Sequence, residues 1–384
     1  MTSKPTENVD VIVVGAGIIG ASCVFHLSRR GLRVAVLEAQ AGPAMGSTGR
    51  SFASVRAQWA DKVNARISWD SIQAYRDPSA FGGGDVGYRA TGYLFLVPES
   101  SWEAHLAAVA MQRSLGIPVD GLSVEEAQEL TAFDPHGIAG CTWGTADGVV
   151  DPHLVTMRYL QLAAQLGVSV QRRKPVTAVR RVPAGWLVEA AGQAWTGSYV
   201  VNAAGGWAGE VAALAGVDVP VEHVRRTVFA SACRPAAARL PMTIDVATGV
   251  FLRSDGDRLL FGKANDAEPA GYRTDVDWSW LEPTLALACR RFPWLADVPI
   301  DTGACWAGTY EMTEDHRPFI GEMPGAPGWV NACGFSGHGV MQAPAVGRLV
   351  AEEIADGRAH SIDIDSLRIE RLASGAVPKM GLTF

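Results

Sequence analysis

The sequence predicts an α/β chain of two domains, one built on a parallel sheet that carries a dinucleotide and one built on an antiparallel sheet. Three features lead there: a β-branched run ending in spaced glycines, a second short strand ending in an acid, and a central series of strand-like runs. The first is Val9 to Val14, which runs into Gly15-Ala16-Gly17-Ile18-Ile19-Gly20 and a helix-compatible stretch to Arg30. A buried parallel strand feeding a phosphate-binding turn has this pattern. Gly15 permits the tight turn, Gly17 lets the backbone approach a pyrophosphate, and Gly20 lets the helix pack on the strand. The helix then points free N–H groups and its positive dipole end at the phosphates. Arg33 to Glu38 is the second strand, and Glu38 stands where a carboxylate accepts hydrogen bonds from a free ribose diol. The arrangement is Rossmann-like, and FAD and NAD both fit it.

Composition sets outer limits. A chain of 384 residues exceeds one ordinary core and suggests two domains. Its 48% hydrophobic and 19% charged residues are those of a soluble globular protein. A formal charge of -7 without a Lys/Arg block leaves no electrostatic footprint for nucleic acid or an anionic membrane. The start is polar, and glycines interrupt the first apolar run, so neither a signal peptide nor a membrane span is expected. The expected location is cytoplasmic. Six scattered cysteines with no C-x-x-C pair argue against a structural zinc or a disulfide framework, and no metal is expected.

Gly46-Ser47-Thr48-Gly49-Arg50-Ser51 followed by Arg56 resembles the glycine-serine block of the D-amino-acid-oxidase-like flavoproteins, in the branch of glycine oxidase, sarcosine oxidase β-subunits and dimethylglycine dehydrogenase. There the stretch lies along the flavin and leads to the substrate. The residue types agree, since small hydroxyls bond phosphate or ring atoms and an arginine clamps a carboxylate bidentately; a polar surface loop explains them equally well. Trp59, Val63, Ile67 and Ile72 then predict an amphipathic helix from Ala57 to Tyr75. Tyr88 to Val97 begins a strand pair, a helix covers about Ser101 to Leu115, and Ser123 to Glu126 is a capping box. Trp143 to Pro152 resembles the stretch where the family's chain re-enters its flavin domain, although a surface turn explains its Asp-Gly as well.

A helix from Pro152 to Leu166 and a strand at Val168 to Val170 follow, then a hairpin of Val176 to Val182 with Gly185 to Glu189. Tyr199 to Trp207 resembles the family's second nucleotide contact, and only small residues such as Ala203, Ala204 and Gly205 let a cofactor so near the chain. Strand-like runs at Val219 to Arg234, Met242 to Arg253 and Arg258 to Lys263 make an antiparallel sheet with Tyr88 to Val97. Arg253 and Lys263 face substrate or solvent.

Two blocks near the end, Trp306 to Gly321 and Asn331 to Met341, also look like this family. The helix after Gly339 carries Val346, Leu349, Val350 and Ile354 on one face and stops at Gly357. Its N-terminus aims N–H donors at an anion, which the resemblance makes the reduced flavin; donors placed there stabilise the charge left by hydride transfer to flavin N5. Gly337, His338 and Gly339 are the candidates, and the His338 side chain is equally well a structural histidine.

The resemblance spans Val9 to Gly357. It implies a Rossmann-like FAD-binding domain of the glutathione-reductase type over 8–80, 147–218 and 303–360, an antiparallel β-sheet substrate domain over 81–146 and 219–302, and a tail over 361–384. It places FAD against Gly15, Gly17, Ile18, Ile19, Gly20, Glu38, Ala39, Ser47, Thr48, Arg50, Ser51, Val176, Ala203, Ala204, Gly205, Trp207, Gly308, Gly334, Gly337, His338, Gly339, Val340 and Met341. Arg56 is its carboxylate clamp, and Arg56, Gly337, His338 and Gly339 are the expected catalytic residues. The implied reaction is oxidation of a small secondary or primary amine, most simply an amino acid of the sarcosine, glycine or proline kind, to an imine, with O2 or an electron-acceptor protein or quinone taking the electrons. Met341 stands where monomeric sarcosine oxidases carry a substrate-binding lysine, Cys305 lies too far before Met312 to match their flavin-attaching cysteine, and no histidine lies in 50–61. FAD is therefore expected to be non-covalent. Rival expectations are a biosynthetic amine oxidase whose substrate lacks a carboxylate, a flavin-binding subunit that needs a partner chain, and a nicotinamide-dependent dehydrogenase.

Overall fold

The computed structural model describes residues 6–233 and 240–374. Its centre is a six-stranded sheet ordered Phe319–Glu322, Trp329–Cys333, Tyr199–Asn202, Val11–Val14, Val34–Glu38 and Val170–Arg172, parallel except for its first strand. Both faces of Val11–Val14 are buried, which is why its sequence is apolar without alternation. Val11 and Val13 pack on the helices Ile18–Arg29 and Gly339–Ala355. Ile12 and Val14 pack instead on a four-stranded sheet formed by the Val176–Val182 and Gly185–Ala190 hairpin, Gln193–Gly197 and Thr6–Asn8.

Helix Ile18–Arg29 approaches Gly339–Ala355 so closely that a Cβ on Gly347 would lie 2.2 Å from Ser22 Oγ. Pro344 sits inside the second helix and lacks the N–H that would serve Val340 O one turn back. Tyr75 Oη donates to that carbonyl at 2.6 Å, and Ala345 N donates to Ser71 Oγ at 3.2 Å. The helix Lys62–Arg76 thus repairs the break and ties itself to the glycine turn at 337–339.

The predicted helix from Ala57 is shorter at its start. Asp61 caps it by accepting Asn64 N at 2.9 Å, and Lys62 is its first residue. Trp59 therefore lies in the preceding loop, where its ring packs edge-on against His338 at 4.6 Å. The capping box at Ser123 forms as predicted, as does the helix Pro152–Gln165, which Asp151 caps. The run Met242 to Arg253 is two strands, Met242–Asp245 and Val250–Asp255, because the chain turns at Asp245 to Gly249.

These strands belong to an eight-stranded mixed sheet ordered Trp306–Met312, Glu222–Ala230, Arg258–Gly262, Val250–Asp255, Met242–Asp245, Tyr93–Pro98, Ile138–Gly144 and Val119–Leu122. Met242–Asp245 and Tyr93–Pro98 run parallel, which corrects the expectation of a purely antiparallel sheet. Leu94, Leu96, Phe229, Leu252 and Phe261 pack against the helix Leu281–Arg291 on one face. Tyr93, Met242 and Ile244 leave from the other and line a cavity. Trp306–Met312 falls in the segment 303–360, and it pairs with Glu222–Ala230 from Glu222 opposite Met312 to Val228 opposite Trp306. Within 361–374 the chain stays docked, with Arg371 Nε 2.6 Å from Asp315 Oδ2. Arg234 and residues 375–384 lie outside the described residues.

Candidate functional site

A cavity of about 590 Å³ runs from the turn after Val11–Val14 to the face of the eight-stranded sheet. One half is lined by backbone. Gly15 has φ of +102°, and a Cβ there would lie 2.4 Å from Ala203 O, so neither its conformation nor its space admits a side chain. Gly20 is similarly confined, 2.1 Å from Gly15 O. Helix Ile18–Arg29 has no acid in its first turn and no cap from its own N-cap residue, Gly17. Thr48 Oγ1 accepts Ile18 N at 3.1 Å from across the cavity wall. Glu38 accepts Ala16 N at 2.8 Å and Gln40 N at 2.7 Å, which fixes the carboxylate and leaves further lone pairs for hydroxyl donors.

The other half is lined by side chains. Arg56 is 2% exposed; its Nη1 donates to Gln58 O at 2.6 Å and its guanidinium lies 4.2 Å over the Trp59 ring. Burial lowers its pKa from the ordinary arginine range. Behind it Asp147 accepts Ala57 N at 2.8 Å and Gln58 Nε2 at 2.9 Å, and burial pushes this carboxyl up to about 6. Arg226 enters from Glu222–Ala230, opposite Gly308, with its guanidinium 5.2 Å from the centre of the Tyr310 ring. Tyr310 in turn leaves no room at Gly337, where a Cβ would lie 2.3 Å from the ring. Met242, Ile244, Phe251 and Phe52 form an apolar wall, with Phe52 and Phe251 in edge contact at 5.0 Å.

The turn at 334–339 joins the halves. Glu311 Oε2 accepts Gly334 N at 3.0 Å, and burial pushes this carboxyl up to about 7. His338 is buried, burial holds its imidazole neutral, and among the described residues no hydrogen-bond partner meets its Nδ1. It precedes the helix Gly339–Ala355, whose first turn holds no acid and receives no cap from the His338 side chain. Gly337, His338, Gly339, Val340 and Met341 all line the cavity.

Of the residues expected at the cofactor, Gly20 and Gly334 do not line the cavity: the first packs under Gly15, and the second is turned toward Thr313 and Glu311. The others line it, as does Arg56. Cys305 lies outside the lining, with its Sγ accepting Ala230 N at 3.3 Å, and Gly308 lies within it. Sequence reading missed Arg226, Tyr310, Tyr93, Glu311 and Asp147 as site residues. A signal for Arg226 was present: Arg225 and Arg226 are adjacent on a strand, so their side chains leave on opposite faces. Arg225 pairs with Glu268 at 3.1 Å, Asp275 at 2.8 Å and Asp277 at 3.3 Å, and Arg226 points into the cavity.

A family model described as DAO, FAD dependent oxidoreductase, matches residues 10–353. FAD-dependent oxidoreductase domain-containing protein 1 of Xenopus laevis is 29% identical over 96% of this chain and 84% of its own length. Mitochondrial sarcosine dehydrogenase of Mus musculus is 26% identical over 93% of this chain and 41% of its own length. The crystal structure of L-proline dehydrogenase from P. horikoshii superposes with a TM-score of 0.89 at 26% identity, covering 97% of this chain and 100% of that one. The cavity fits the cofactor this family takes. Its volume lies in the range of small-molecule sites, and its glycine cradle, where a Cβ on Gly15 would lie 2.4 Å from Ala203 O, admits backbone-close phosphates. Among the described residues, no helix is long and apolar enough to cross a membrane.

Proposed function

We propose that this chain, which belongs to the FAD-dependent oxidoreductase family and takes FAD as its cofactor, oxidises a small secondary or primary amine, an amino acid of the glycine, sarcosine or proline kind, to its imine. The observation that carries this reading is the continuity of one cavity, in which a backbone cradle for a nucleotide opens directly into a chamber lined by cations and an apolar wall. When bound, FAD supplies the two-electron acceptor for a hydride leaving the carbon next to nitrogen.

The chain's own residues do the rest. Gly15, Gly17, Ala203, Ala204 and Gly205 admit the phosphates, Glu38 receives the ribose, and Ser47, Thr48, Arg50 and Ser51 line the path to the reacting end. Gly337 and Gly339 place N–H donors and an uncapped helix start where negative charge develops, while His338 N is given to Phe335 O at 2.8 Å and holds the turn. The neutral His338 and the apolar wall favour an amine that binds neutral, so no strong base is needed. Arginine in the chamber attracts a carboxylate, which orients the substrate and distinguishes an amino acid from a simple amine. The division into 8–80, 147–218 and 303–360 for cofactor and 81–146 with 219–302 for substrate is proposed on the same reading, with Trp306–Met312 contributing to both.

The test is an anaerobic visible titration of the yellow holoprotein with N-methyl, cyclic and primary amino acids and with carboxylate-free amines, followed by air. Bleaching by an amino acid class is the expected result, and peroxide on re-oxidation would make O2 the acceptor. Bleaching only by carboxylate-free amines would favour the biosynthetic alternative. A yellow protein that no amine bleaches defeats the proposal for the isolated chain.

A further inference from the structure

Resting on the amine-oxidation reading above, we infer that Arg226 grips the substrate carboxylate and that Arg56, despite its place in the sequence, is a positioning residue that acts through Trp59 and His338. Three cations line the substrate chamber, Arg56, Arg226 and Lys263, and their surroundings differ. Arg56 is 2% exposed, gives Nη1 to Gln58 O, has one face covered by Trp59, and lies in the field of Asp147. One face is thus occupied by Trp59 and Nη1 is committed to the Gln58 carbonyl. Lys263 gives Nζ to Ala264 O at 3.2 Å and lies 5.6 Å over Trp280.

Arg226 is arranged otherwise. Its Nη1 donates to Arg225 O at 3.0 Å, its Nε is buried with no partner, and among the described residues it forms no ion pair. Its buried Nε faces no open space, so the end bearing Nη1 and Nη2 is the part offered to the cavity, and that fork matches the two oxygens of one carboxylate. Tyr310 holds the guanidinium by its ring face, and the same ring rests against Gly337. A carboxylate on Arg226 therefore lies beside the turn that carries His338 and opposite the wall of Met242, Ile244 and Phe251. The ligand that satisfies both sides has one carboxylate and a compact apolar body around nitrogen, as a cyclic secondary amino acid has.

Arg56 is linked to the cofactor end by a stack. Its guanidinium lies on Trp59, and Trp59 meets His338 edge-on at 4.6 Å. Trp59 Nε1 is tied to Ser68 Oγ at 2.8 Å and its carbonyl to Gln112 Nε2 at 2.7 Å, so the ring cannot swing away to release either neighbour. Loss of Arg56 should disturb how His338 is held, and with it the flavin, without regard to whether the substrate is an acid.

The holoenzyme and its Arg226→Gln, Arg226→Lys and Arg56→Gln variants separate these roles. Tetrahydrofuran-2-carboxylate, in which oxygen replaces the reacting nitrogen, is titrated as a dead-end ligand through the flavin spectrum. KM and kcat are measured for matched acid and amine pairs: sarcosine with dimethylamine, and L-proline with pyrrolidine. Arg226→Gln should weaken the dead-end acid and raise KM for the amino acids ~10- to 100-fold, the loss of a charged hydrogen-bonded pair, with the amines changed less than about two-fold. Arg226→Lys, which keeps the charge without the fork, should recover part of that loss. Arg56→Gln should shift the flavin spectrum and midpoint potential and lower kcat for acids and amines alike. Selective loss of acid binding in Arg56→Gln, or acid binding within two-fold of wild type in both Arg226 variants, would overturn the inference. If no amine bleaches the wild type but the dead-end acid still binds through Arg226, the oxidation reading fails and the anion site stands.

Discussion

The two halves of the cavity are built from different material. At the nucleotide half the wall is main chain: Gly15 pressed on Ala203, Gly20 pressed on Gly15, and helix starts without acids in their first turns. At the substrate half the wall is side chain, brought from Val250–Asp255, Met242–Asp245, Tyr93–Pro98, Glu222–Ala230 and Trp306–Met312. A main-chain wall fixes one ligand shape and tolerates no added atom. A side-chain wall can be rebuilt residue by residue on the same sheet, so one cofactor half can serve many substrate halves.

Substitutions sharpen that contrast. Gly15→Val places a side chain 2.4 Å from Ala203 O at a φ of +102°. It should abolish flavin retention, a loss of at least ~100-fold in affinity if the clash costs about 3 kcal/mol, read from the flavin-to-protein absorbance ratio. A variant that purifies yellow would show that the cradle yields.

Glu311 sits at the junction and makes a stability prediction. Burial raises its carboxyl from 4.5 to about 7. The folded chain then holds this proton more tightly than the unfolded chain, so the contribution is fully present below pH 4.5 and is lost as pH rises through about 7. Glu311→Gln removes the dependence. Denaturant melts should show wild type losing about 3 kcal/mol more than the variant across that window, and parallel curves would refute the assignment.

Gly337→Ala drives a methyl to 2.3 Å from the Tyr310 ring at a φ of +93°. The cofactor should remain bound while turnover falls ~10- to 100-fold, a cost of about 1–3 kcal/mol, because the displaced ring carries Arg226 with it. Loss of flavin along with turnover would assign this turn to the nucleotide half instead. Thr48→Ala is the mildest case. It removes the acceptor for Ile18 N and should weaken FAD by a few fold, about 1 kcal/mol by analogy with a lost helix cap.

The nucleotide half was legible because its signals are local. Val9 to Gly20, Glu38, Thr48 and the small residues at 203–205 each state a backbone requirement within a few positions, and all but Gly20 among the named glycines of the first turn reach the cavity wall. Gly20 acts one layer behind, as a packing glycine does. The substrate half was not legible in the same way. Arg56 stood beside a recognisable block, and the sequence could not reveal that Trp59, three positions on and expected inside a helix, would lie in the loop before it and cover the guanidinium.

Asp147 shows the same limit, since an Asp-Gly pair reads as a surface turn and only the closure of Ser54–Val55 on Gly148–Val149 buries it beside Arg56. The sequence by itself determined the parallel sheet, its glycine turn, the helices that pack on it and the family. Tertiary structure alone decided which of the two adjacent arginines faces the cavity. Strand alternation sends Arg225 and Arg226 to opposite faces, but which face is the cavity depends on pairing Glu222–Ala230 with Trp306–Met312, about eighty residues downstream, and on Tyr310 arriving opposite Val224.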